Sequence, residues 1–140
     1  MKQLYSGRYA FTAYQNVIFA AGAKQYAHSL PIKSECYLNA FETNVGIVAI
    51  ATELYNNPGM SVDNGAEFLA EELVNVFNYS PAGLALVTRY TDKESYNENH
   101  SGSEKERLAL VTFHWELKGN IWYAHNAQFS HITRARLGLE

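Results

Sequence analysis

The sequence predicts an α+β fold: an antiparallel sheet of about five strands, ending in a three-stranded meander, with two helices packed on it. Three observations lead there. Apolar residues recur at helical spacing in two separate stretches, β-branched and aromatic runs fill others, and clusters of turn residues separate them. With 140 residues and no internal repeat or linker, the chain has the length of one domain. A composition of 47% hydrophobic and 18% charged residues excludes a disordered chain.

The elements follow in order. Over residues 9–27, Ala10, Tyr14, Val17, Ile18 and Ala21 recur at helical spacing, with Gly22 a weak point. Leu30-Pro31 ends that helix, because the residue before a proline is pushed toward extended geometry. The run containing Ile47, Val48, Ile50 and Thr52 is rich in β-branched residues, and Thr43-Asn44-Val45-Gly46 reads as a turn. A hairpin of 35–42 with 46–54 is the reading preferred over one helix across 35–55. Asn56-Asn57-Pro58-Gly59 is the strongest turn signal in the chain. After it, Val62, Ala66, Leu69, Leu73 and Val76 form one apolar stripe of a helix over 62–78. Ser61 or Asn64 offers its cap, and the pair Glu71-Glu72 is expected only to solvate it. Residues 83–91 read as a strand, and the polar stretch 92–106 as a long loop. An aromatic hairpin closes the domain, RLALVTFHWEL with IWYAHNAQFSH, joined at Lys118-Gly119-Asn120.

Charge and composition narrow the function classes. A formal charge of −3 gives no long-range attraction to phosphate backbones, so generic nucleic-acid binding is not expected. The single cysteine, Cys36, excludes an intramolecular disulfide, which fits a reducing, cytoplasmic setting. Its apolar neighbours Tyr37 and Leu38 suggest a buried, inert thiol. The richest apolar stretch, YAFTAYQNVIFAAGA, is broken by Gln15 and Asn16 and is too short to span a bilayer, so no membrane role is expected.

Candidate chemistry concentrates in the last hairpin. A two-residue loop at Gly119-Asn120 would pair His114 with His125 and Glu116 with Tyr123. That register gathers two imidazoles and a carboxylate on one face, a set suited to metal or acid–base work. A three-residue loop would pair Trp115 with Tyr123 and Phe113 with His125, and cross-strand aromatic pairs stabilise sheets. This second register is favoured, and it separates His114 from His125. The sequence therefore supports no catalytic set, no metal site and no cofactor. The alternative reading is a small His-dependent or metal-dependent hydrolase or phosphodiesterase using His114, Glu116, His125 and His131. His131-Ile132-Thr133 has the shape of half a two-histidine phosphoesterase site, but no other His in the chain has a hydroxyl two residues on. No phosphate-cradling glycine loop or nucleophile elbow occurs.

His131, Arg134 and Arg136 form a basic tip, with Arg89 on a neighbouring strand, and arginine forks suit carboxylate or phosphate. Trp122, left near the surface by the favoured register, joins them as a binding candidate. The stretch from ATELYNNPGMSVDNGAE through the helix to LALVTFHWE resembles a loose set of small, uncharacterised proteins of bacteria and their phages, over roughly residues 35–117. The resemblance implies a mobile-element accessory protein, a group in which small inhibitors and sequestering proteins are frequent. It transfers no site residue. The expectation is a small non-catalytic binding protein, taking a protein partner or a small anionic ligand, with a homo-oligomer possible.

Overall fold

The computed structural model describes residues 1–52, 62–92 and 105–139. They form one six-stranded sheet whose strands lie side by side in chain order. These are β1 (Lys2–Ala21), β2 (Lys24–Thr43), β3 (Gly46–Thr52), β4 (Leu84–Asp92), β5 (Lys105–Lys118) and β6 (Ile121–Ile132). The helix α1 (Val62–Asn75) lies between β3 and β4, which pair in parallel; every other neighbouring pair is antiparallel. A parallel step needs a crossover, and α1 supplies it. The architecture is thus α+β, but the sheet is mixed and has six strands rather than five. Among the described residues it carries one α-helix, not two.

The missing helix is the expected one at 9–27. Those residues instead form most of β1 and the start of β2, paired without interruption from Tyr5↔Ala40 to Ala21↔Lys24. Gly22, at φ 67°, opens the two-residue turn between them. A glycine with positive φ at the first central position makes a II′ turn, whose twist matches that of paired strands. Pro31 does not end an element; it lies within β2, opposite Tyr14.

Other expectations fall close to place. The 35–42 and 46–54 hairpin is the β2–β3 pair, closed at Thr43↔Gly46. The second helix is α1, which ends at Asn75, and the chain leaves it through Asn78 at φ 65°. Val76 therefore falls beyond the helix and is 63% exposed, while Ala66, Leu69 and Leu73 are fully buried. The strand expected at 83–91 is β4. The Asn56–Gly59 turn and residues 93–104 of the expected loop lie outside the described residues.

Both faces of the sheet carry a core. On one, Ala66, Leu69, Ala70 and Leu73 of α1 pack over Leu38, Ala40, Ala49, Ala51, Leu86, Val111 and Ala124. The strand alanines let the helix approach closely. On the other, Val48, Ile50, Val87 and Leu108 are covered by Leu137 and Leu139 from the segment after β6. That segment makes a 3-10 turn at Ala135–Leu137 and leaves it at Gly138, φ 73°. The Leu139 N–H donates to the Arg134 carbonyl (3.1 Å) and the Gly138 N–H to that of Ala135 (3.2 Å). This is a Schellman ending, which turns Leu139 back toward the sheet.

The polar side of α1 does more than solvate the helix. Asn75 binds both backbone groups of Trp122, accepting its N–H at 3.0 Å and donating to its carbonyl at 2.9 Å. Glu71 accepts the Ala124 N–H at 2.9 Å and Glu67 that of Ala127 at 3.4 Å. Burial, and then the nearby Glu72 carboxylate, push the Tyr9 hydroxyl up to about 12. One row of helix side chains at positions 67, 71 and 75 thus takes up backbone groups of β6 between Trp122 and Ala127, on an edge that would otherwise offer unpaired donors and acceptors. No described helix is long and apolar enough to cross a membrane.

Candidate functional site

The last hairpin takes the register that the aromatic-pair argument disfavours. Lys118 pairs with Ile121 across a two-residue loop, with Gly119 at φ 51° and Asn120 at φ 71°. Two successive positive φ angles make a I′ turn, the tight turn whose twist fits a hairpin, and Gly and Asn adopt it at little cost. The aromatic rings are accommodated without direct pairing. Trp115 meets Phe113 edge-on at 5.5 Å along its own strand and Trp122 at 6.4 Å across. Further along, Asn126 at φ 56° marks a bulge that shifts the pairing between Thr112 and His114.

This register sets His114 opposite His125 and Glu116 opposite Tyr123. His125 Nε2 lies 3.2 Å from Glu116 Oε1, and Lys118 Nζ 3.4 Å from the same oxygen. Bonds from His125 and then from Lys118 hold the Glu116 carboxyl below the ordinary carboxylate range. Lys118 also lies over the Tyr123 ring, 6.0 Å from its centre. All these side chains are well exposed, so solvent screens the pairs and they add little stability. Among the described residues, no three His, Cys, Asp or Glu side chains come close enough to hold a metal ion. His131 stands apart from this group, beyond the bulge, opposite Ala109.

A second cluster forms where β4, β5 and β6 approach the C-terminal segment. Arg89 of β4, Arg107 and Leu108 of β5, His131 and Ile132 of β6, and Thr133 and Arg134 after it line a cleft of about 240 Å³. Strand pairing brings them together: Arg89 lies opposite Leu108, and Leu108 opposite Ile132. Three guanidinium groups and an imidazole around one small cleft suit a carboxylate or phosphate, which arginine forks bind through paired N–H donors. The volume is below that of pockets for drug-sized ligands and fits a small anion or a charged terminal group.

Of the five binding candidates, the cleft gathers Arg89, His131 and Arg134. Arg136 is exposed on the 3-10 turn, where its N–H faces Thr133 Oγ1 at 3.4 Å, and does not line the cleft. Trp122 is half-buried at the far end of β6, tied through its backbone to Asn75. Sequence reasoning passed over Arg107, and it read Thr133 only as part of the His131-Ile132-Thr133 half-site. The signal for Arg107 was the pairing of its strand with β4, which residue patterns alone do not register. Cys36 is fully buried, and burial pushes its thiol up to about 12, the environment of an inert thiol. No family model, curated protein or solved structure matches the chain.

Proposed function

We propose that this is a small non-catalytic binding protein that holds an anionic group in the cleft of Arg89, Arg107, His131, Thr133 and Arg134. The observation that carries the reading is the convergence of three arginines from three successive segments on one small cleft. Arginine keeps its charge at any physiological pH, so the site is preset for an anion and needs no ionisation event. The bound group is a free phosphate or carboxylate, or the same group displayed by a protein partner. The resemblance of residues 35–117 to small, uncharacterised proteins of bacteria and their phages fits a sequestering or inhibitory role.

Calorimetric titration with inorganic phosphate and with succinate tests the reading. Saturable binding of either is expected, weakened at least tenfold by Arg134→Ala with an unchanged melting temperature. Absence of binding by both anions at millimolar concentration would remove the cleft as a small-anion site.

A second reading has one observation in its favour. The two-residue turn sets His114, Glu116 and His125 on one exposed face, with His125 bonded to Glu116 at 3.2 Å. A carboxylate that orients an imidazole is a general-base arrangement. Assaying phosphodiester hydrolysis with and without divalent metals decides it: activity lost in His125→Ala would establish an enzyme, and no activity in the native protein removes the reading.

A further inference from the structure

We infer that β1 is an interaction edge that pairs antiparallel with the β1 of a second copy of this chain. Among the described residues the three longest stretches of outer strand edge belong to β6, β2 and β1, and they are treated differently. The outer edge of β6 is bonded between Trp122 and Ala127 by Asn75, Glu71 and Glu67 from α1. The second stretch belongs to β2. Its residues Lys24–Cys36 pair with β1 only, because the described pairing to β3 begins at Tyr37. The third is β1, which is 20 residues long and pairs on one side alone.

The turn geometry fixes which backbone groups each edge presents. A two-residue hairpin loop is flanked by a mutually hydrogen-bonded pair, here Ala21 with Lys24, and such pairs recur at every second position. Odd-numbered residues of β1 therefore bond β2, and Ala10, Thr12, Tyr14, Asn16, Ile18 and Ala20 turn their N–H and C=O outward. The same rule predicts that Trp122 and Ala124 turn outward from β6, and those are the residues α1 binds. On β2 the outward set includes Gln25, Ala27, Ser29, Pro31 and Lys33. A proline has no N–H to give a new strand, and an exposed lysine beside it also opposes strand addition. Pro31 and Lys33 thus close the β2 edge. No proline occurs in β1.

Two facts select a second copy as the occupant. The paired segment from Thr12 to Lys33 is a two-stranded ribbon, and such a ribbon is marginal in water until further strands join it. Two ribbons paired through β1 make a four-stranded sheet. Charge also permits it. The only charged residues of β1 are Lys2 and Arg8, both in its N-terminal half. Antiparallel pairing centred on the outer half of the strand sets neither against its copy, whereas a parallel arrangement would align like charges. The resulting two-fold dimer is closed, the commonest form of homo-oligomer.

Sedimentation of the full chain over a wide concentration range, beside Asn16→Pro, Ile18→Pro and Ser29→Pro variants, tests this. Each substitution removes an outward N–H and leaves the β1–β2 bonds in place. The native chain and Ser29→Pro are expected to dimerise, and Asn16→Pro and Ile18→Pro to be monomers with unchanged circular dichroism. If the prolines disrupt folding, residues 14–31 are replaced by Gly-Asn, which is expected to give a folded monomer. A native chain that is monomeric throughout would overturn the inference, as would a dimer that survives the two β1 prolines or the shortened arm.

Discussion

Glu71 brings its carboxylate into the seam between α1 and β6, where it accepts the Ala124 N–H. Burial raises its pKa above the ordinary value; the Ala124 N–H and His125 oppose that rise, and nearby Glu67 adds to it. A carboxyl whose folded pKa is raised binds its proton more tightly in the native state. Its contribution to stability is then full below the ordinary carboxylate value and is lost as pH rises through the folded value. Glu71→Gln keeps an oxygen to accept the Ala124 N–H and removes the charge. The variant is expected to show a higher urea midpoint than the native chain at pH 7, and a difference that closes toward pH 4. Gly46 makes a different single-residue case. It sits at φ 122°, and a Cβ there would lie 2.6 Å from the Gly83 carbonyl oxygen. Backbone cannot swing away as a flexible side chain can, so Gly46→Ala should cost about 1–3 kcal/mol in thermal melts. Gly22 has positive φ but open space around it. Gly22→Ala should therefore cost only the backbone strain of a side chain at positive φ, about 1 kcal/mol, less than Gly46→Ala.

α1 serves as core element, crossover and edge seal together. Asn75 makes two bonds to Trp122, each worth about 1 kcal/mol net. Asn75→Ala should therefore lower stability by about 1–2 kcal/mol with an unchanged denaturant slope, and it opens part of the β6 edge. This helix was legible in the sequence because the stripe of Ala66, Leu69 and Leu73 repeats at a helical period and faces a sheet. The β1–β2 ribbon was not. Ala10, Tyr14, Val17, Ile18 and Ala21 satisfy the same helical spacing, and only pairing with a strand beyond Gly22 decides against it. The hairpin register failed for a related reason. Aromatic pairing and turn chemistry pointed to different loops, and the I′ turn at Gly119-Asn120 prevailed because Trp115 found Phe113 and Trp122 without direct pairing. The basic cleft was legible where it depends on residues near the chain end, His131 and Arg134. It was hidden at Arg107, whose place depends on β4 lying beside β5.

At the scale of the molecule, the two faces of the sheet are covered by unlike elements, and the difference ties stability to the cleft on one face only. α1 covers the first face and contributes no residue to the cleft. The segment carrying Leu137 and Leu139 covers the second, and it begins at Thr133 and Arg134, which line the cleft. Leu69 and Leu137 are each almost fully buried, so either one truncated to alanine should cost about 2–5 kcal/mol. Their effects on the site should diverge. In Leu69→Ala the cleft keeps all its residues, and phosphate affinity measured well below the melting temperature should match the native chain. In Leu137→Ala the 3-10 turn loses its anchor on Val48, Ile50, Val87 and Leu108, and Arg134 is no longer held beside Arg89 and Arg107. Phosphate affinity should fall severalfold in the protein that remains folded. Equal affinity in the two variants would show that the C-terminal segment covers the sheet without positioning the cleft.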